Sequence, residues 1–161
     1  ADHLRSRRRR RCGLSLGQLW LDRGVDRAQL LHVDHPRRER CSCLAEPISH
    51  FTDAVCAGGF LYVSGIVAVD GHGRLVGGKD VVAQTRQVFD NMRAILDAGG
   101  CGFEDVVKVT VFLTDIDDRP LINPVRREVF GETRPASTLV EVPRLAVDGA
   151  MVEIECVALL P

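Results

Sequence analysis

Thr133-Arg134-Pro135-Ala136-Ser137-Thr138-Leu139-Val140-Glu141-Val142 and, a short loop later, Val152-Glu153-Ile154-Glu155-Cys156-Val157-Ala158 decide how this chain is read. Both stretches alternate apolar and polar residues, the period of a β-strand with one face against a core. Ser137 and Glu141 share a face on the first; Glu153 and Glu155 share one on the second. Carboxylates on rigid strands within apolar runs point to a binding site more than to a solvated surface.

The elements upstream supply what such strands must pack against. Residues 80–98 carry Val81, Thr85, Val88, Phe89, Met92, Ile95 and Leu96 at helical spacing. Asp80 suits the N-cap and Gly99-Gly100 the stop. Gln84, Arg86, Gln87, Asp90, Asn91, Arg93 and Asp97 are expected outside that stripe or along its edges. Asp105 to Leu113 reads as a strand with apolar residues on both faces. Val55–Ala57 and Phe60–Ser64 read as a hairpin around Gly58-Gly59, continued by Ile66–Val69. A second helix ends near Phe130-Gly131. Pro120 suits a first turn, whereas Pro124 favours Asn123 as the N-cap. The order predicts an α+β domain: a mixed sheet with two helices on one face. Ser137, Leu139, Glu141, Glu153 and Glu155 are then expected on the other face, which a second copy of the chain would cover.

Length and composition bound the rest. The chain has 161 residues, enough for one domain with its own core. Hydrophobic residues at 45% and charged residues at 27% fit a globular protein with no bilayer-crossing run. Residues 1–46 hold 11 Arg against 6 acidic residues, while residues 47–161 hold 10 basic residues against 16 acidic ones. The acidic body disfavours nucleic acid as a partner. Residues 1–46, with the run Arg7–Arg11, are expected to be a basic extension lying outside the domain at 47–161: disordered, wrongly started, a targeting segment, or an arm that touches RNA. His32, His35, Cys41 and Cys43 match no zinc spacing, so no metal is expected. The six cysteines include no C-x-x-C pair; a reducing, cytoplasmic compartment is the default. Cys101 has no His or Asn in sequence reach to activate it as a nucleophile.

Ile48 to Leu160 resembles the Rid family, the YjgF-like reactive intermediate deaminases also described as L-PSP endoribonucleases. The resemblance is carried by Leu61-Tyr62-Val63-Ser64-Gly65, by Gln84-Thr85 with Asn91, Leu96 and Gly99, and by Asp105 to Leu113. Asn123, Arg134-Pro135-Ala136 and Val152-Glu153-Ile154-Glu155 complete it, in order. It implies a chorismate-mutase-like fold, a homotrimer, no cofactor, and clefts between subunits for small carboxylate or imine metabolites. It also implies that a glutamate on the last strand positions water to attack an imine, releasing ammonia and a keto acid. Glu153 holds that place.

Ser137, by contrast, occupies the place of the arginine that grips the substrate carboxylate in the best-known members. Phe51 stands for an aromatic with a hydroxyl, and Ile66 for a glutamine. The chain therefore looks like a divergent member ending in Pro-Ala-Ser-Thr. Loss of the bidentate cation would cost about 1.5–3 kcal/mol of binding to 2-aminoacrylate. Arg134, Arg144 and Arg126 are candidate substitute cations. Ser137, Asn123, Ser64, Gly65, Phe51, Ile66 and Arg134 are expected to shape the pocket around Glu153. Two other readings stay open: a non-catalytic metabolite-binding trimer that regulates a partner, and an RNA-acting protein.

Overall fold

The computed structural model describes residues 37–39 and 49–161, all within a compact unit spanning Asp34–Pro161. The expectations for Arg7–Arg11, for Cys12–Leu21 and for the His32, His35, Cys41 and Cys43 group lie outside the described residues.

Among the described residues, six strands and two helices follow the predicted order with one addition. They are β1 (Arg37–Glu39), β2 (Ala54–Ala57), β3 (Phe60–Val67), α1 (Val81–Ala98), β4 (Val106–Leu113), α2 (Arg119–Phe130), β5 (Ala136–Glu141) and β6 (Val152–Leu159). They form one sheet in the order β1-β2-β3-β6-β4-β5, antiparallel except for the parallel β4–β5 pair. The addition is β1. It falls within residues 1–46, yet it pairs with β2 through Arg37–Cys56, Arg38–Val55 and Glu39–Ala54.

Local chemistry explains the boundaries. Gly58 and Gly59 both have positive φ, 59° and 80°, as a two-residue hairpin turn between β2 and β3 requires. The Asp80 carboxylate accepts hydrogen bonds from the backbone N–H groups of Val82 and Ala83 at 2.9 and 3.1 Å, capping α1. Asn123, however, is not a cap. α2 begins at Arg119, has Pro120 in its first turn and runs on through Pro124. A proline there removes one intrahelical hydrogen bond. Burial of Ile122, Val125 and Phe130 along the stripe outweighs that loss.

Both helices cover one face of the sheet. Val109, Val111 and Leu113 of β4 and Val152, Ile154, Cys156 and Ala158 of β6 point into that core with the α1 stripe. Phe89, Phe103 and Phe130 meet edge to face, with ring centroids 5.5–5.9 Å apart. Cys101 and Cys156 are buried free thiols, and Cys56 is buried as well. No helix among the described residues is long and apolar enough to cross a membrane.

Two amides break the predicted polar edge of α1. Gln84 is fully buried, not exposed. Its Nε2 donates to the carbonyls of Gly78 (2.7 Å) and Gly149 (3.0 Å), and its Oε1 accepts from the Met151 N–H (2.8 Å). The loop before β6 is thereby tied to the start of α1. Asn91 is buried as well and donates to the carbonyls of Val67, the last residue of β3, and of Val69 just beyond it. Helical periodicity cannot show such partners, because they come from distant loops. Gln84→Ala strands buried backbone groups on both sides of the helix. It should lower unfolding free energy by about 1–3 kcal/mol in urea titrations; a change near zero would mean that the loop is held by other contacts.

Candidate functional site

Alternation along β6 sorts its residues between two environments. Val152 and Ile154 enter the core, so Glu153 and Glu155 emerge on the opposite, uncovered face. Glu153 lies between Val67 of β3 and Phe112 of β4 in the ladder. It is half-buried, and among the described residues it makes no ion pair. Burial, with the Glu155 carboxylate second, pushes its pKa above the ordinary glutamate value.

The space for that carboxylate comes from a missing side chain. The β3–β6 register shifts between Val63 and Ile66, leaving Ser64 and Gly65 as a bulge. A Cβ at Gly65 would collide with Oε1 of Glu153. Ser64 meanwhile donates its hydroxyl to the Thr52 carbonyl at 2.6 Å, and its N–H donates to the Asp53 carbonyl at 2.9 Å. It therefore anchors the segment that carries Phe51, whose ring is 48% exposed. Ile66 does not line this face: it pairs with Ile154 and is buried in the core. The bulge reverses the facing that simple alternation would give it.

Ser137 departs from expectation. It pairs in parallel with Val109, a core-facing residue of β4, so it lies on the helix side of the sheet. Leu139, packed against the core, and Glu141 share that side; Thr138 and Val140 take the other. Glu141 accepts the Ile116 N–H at 2.9 Å and caps the turn before α2. Ser137 and Glu153 of one protomer thus occupy opposite faces, with β4 between their strands. Sequence alternation gives which residues of a strand share a face, but not which face of the sheet each strand's set joins.

What meets Ser137 is Arg126, from α2. Its Nη2 donates to the Ser137 hydroxyl at 2.7 Å, and its Nη1 lies 3.4 Å from Oδ1 of Asn123. Asn123 and Arg126 stand one helical turn apart on the same face. Nε of Arg126 is buried with no hydrogen-bond partner, and burial pushes the guanidinium pKa down. Arg134 precedes the first residue of β5; it is exposed and makes no hydrogen bond or ion pair with the described residues. Arg144 lies elsewhere, on the wall of a cavity of about 330 Å³ formed by Thr114 and residues 143–150. Of the three arginines considered, the fold brings Arg126 to Ser137.

The sequence profile described as Endoribonuclease L-PSP matches residues 43–160. The RutC family protein PH0854 of Pyrococcus horikoshii is 45% identical over 114 residues, covering 70% of this chain and 89% of that protein. Among solved structures, a putative endoribonuclease from Thermotoga maritima superposes with a TM-score of 0.72 at 36% identity, covering 78% of this chain and 98% of that one. TdcF of E. coli, crystallised with bound serine, gives 0.71 at 30% identity, covering 78% and 99%. On the strength of these matches the chain belongs to the Endoribonuclease L-PSP family, the Rid or YjgF-like proteins.

Proposed function

We propose that this protein hydrolyses the C=N bond of small imine or enamine acids, at sites formed between copies of the chain in a homotrimer. The observation that carries the reading is Glu153: a half-buried carboxylate without a cationic partner among the described residues, raised in pKa, above a glycine that leaves it room. A group that must take a proton and then return it works best with a pKa near the operating pH. Burial moves Glu153 in that direction.

In the reaction, the Glu153 carboxylate takes a proton from water as the oxygen bonds to the imine carbon. That proton passes to nitrogen to give a carbinolamine; Glu153 then carries the proton of the new hydroxyl to nitrogen as the C–N bond breaks, so ammonia leaves, a carbonyl product remains and the carboxylate is regenerated. Water and imine are consumed, and no redox partner is needed. The open face supports assembly between copies. It carries Tyr62 (46% exposed) and Val140 (38% exposed) on the same side as Glu153 and Glu155, apolar surface that a second copy would cover. Ser137, Asn123 and Arg126 sit on the opposite side of the same protomer. A ligand touching both groups must therefore lie between two copies. TdcF with its bound serine supports a small polar ligand for the family.

A second reading is a metabolite-binding trimer without turnover, favoured by Ser137 where the best-known members have arginine. The two part in one assay: ammonia release from a panel of imines generated in situ by an amino-acid oxidase. Turnover that vanishes in Glu153→Gln supports hydrolysis. Ligand-dependent thermal shifts with no ammonia support the second reading.

Gly65→Ala should displace the Glu153 carboxylate, the flexible partner in the collision, and cut turnover at least tenfold while the melting temperature moves little. Unchanged turnover would mean that the carboxylate has no fixed post. The pH dependence of stability gives a separate check. A carboxyl whose folded pKa lies above its unfolded value contributes stability below the unfolded pKa and loses it as pH rises through the folded one. Glu153→Gln should therefore melt higher than the parent at pH 8, with the gain disappearing towards pH 4. A gain that grows on acidification would contradict the raised pKa.

A further inference from the structure

Arg126 carries a charge that no carboxylate among the described residues balances. Other arginines of the fold that form ion pairs do so at the surface: Arg86 with Glu128 at 3.0 Å, and Arg74 with Asp70 at 2.8 Å. Arg126 is half-buried, and among the described residues it has no carboxylate within ion-pair distance. Its contacts are two neutral oxygens, one short and one long, and its Nε is enclosed without an acceptor. A partly desolvated cation without a countercharge is costly. Such a group persists where an anion completes it.

The neighbours fit that requirement. Ser137 is exposed, so the guanidinium it holds lies beside open space at the edge strand of the sheet. Ser137 and Asn123 act from two elements, β5 and α2, and fix the plane of the fork without neutralising it. A planar guanidinium fixed in this way suits the two oxygens of a carboxylate. A long side chain at 137 would fill the place where the Arg126 fork now rests. The small residue at 137 and the arginine at 126 therefore form one arrangement.

We propose that Arg126, delivered from α2, is the cation that binds the carboxylate of this protein's small-molecule ligand, with Ser137 and Asn123 positioning it. The proposal rests on the intersubunit small-molecule site described above and adds the residue that selects an acid.

Calorimetric titration of the intact oligomer with pyruvate, and with uncharged pyruvamide, tests it. The parent should bind pyruvate in preference to the amide. Arg126→Met should weaken pyruvate by roughly 10- to 150-fold, the range expected for losing charged hydrogen bonds, and should leave pyruvamide unchanged. Adding Ser137→Arg to Arg126→Met should restore much of the pyruvate affinity, which a merely structural Arg126 would not allow. Equal pyruvate affinity in Arg126→Met, or no preference for the acid in the parent, overturns the proposal. So does conversion of Arg126→Met to monomers in sedimentation, because the guanidinium would then pair with a carboxylate of a neighbouring copy. Arg126-dependent binding without imine hydrolysis by the parent would sink the proposed reaction and leave the cation assignment standing.

Discussion

β6 is held between β3 and β4, and its strict alternation is the constraint on which the rest of the structure depends. Its even-numbered residues, Val152, Ile154, Cys156 and Ala158, are all buried under the helices. Burying them removes apolar surface worth about 1.5–3 kcal/mol for each large side chain. A shift of one residue would exchange that set for Glu153 and Glu155. The core therefore fixes where the carboxylates emerge. Gln84 reinforces the register from the loop before β6, through its contacts with Gly149 and Met151. The Ser64–Gly65 bulge then makes room for one of the two carboxylates.

The same sheet separates the two chemical groups. Among the described residues, Glu153 is a carboxylate without a cation on the uncovered face, and Arg126 is a cation without an anion on the helix side. Within a protomer β4 stands between their strands, and its register pairs Ser137 with Val109 but Glu153 with Phe112. Groups so placed act on one small molecule only when a second copy brings its own. On the proposed assembly, the uncompensated charges and the apolar exposure of the open face would be completed by the same neighbouring copy.

Much of this was legible from residue order. The α1 stripe, its Asp80 cap, the Gly58-Gly59 hairpin and the β4 and β6 strands follow from local periodicity and turn chemistry, and each is found, β4 beginning at Val106 because Asp105 closes a short 3-10 turn. Other features were not, for physical reasons that differ. Gln84 and Asn91 look like surface amides until remote carbonyls are seen to enclose them. Pro124 looks like a boundary until the burial of Ile122 and Val125 carries the helix past it. Ile66 looks site-lining until the bulge turns it into the core. Among three candidate arginines, residue order put Arg134 in the pocket, whereas the packing of α2 brings Arg126 to Ser137.

The sequence by itself determined the α+β order of elements, the family, and Glu153 as the acidic residue to watch, because strand and helix periods and short turns are written in neighbouring residues. Only the tertiary structure decided that Ser137 lies on the helix side and that Arg126 reaches it. The parallel β4–β5 register and the packing of α2 join residues that no local pattern relates. Facing across a sheet is a property of paired strands, and no single strand carries it alone.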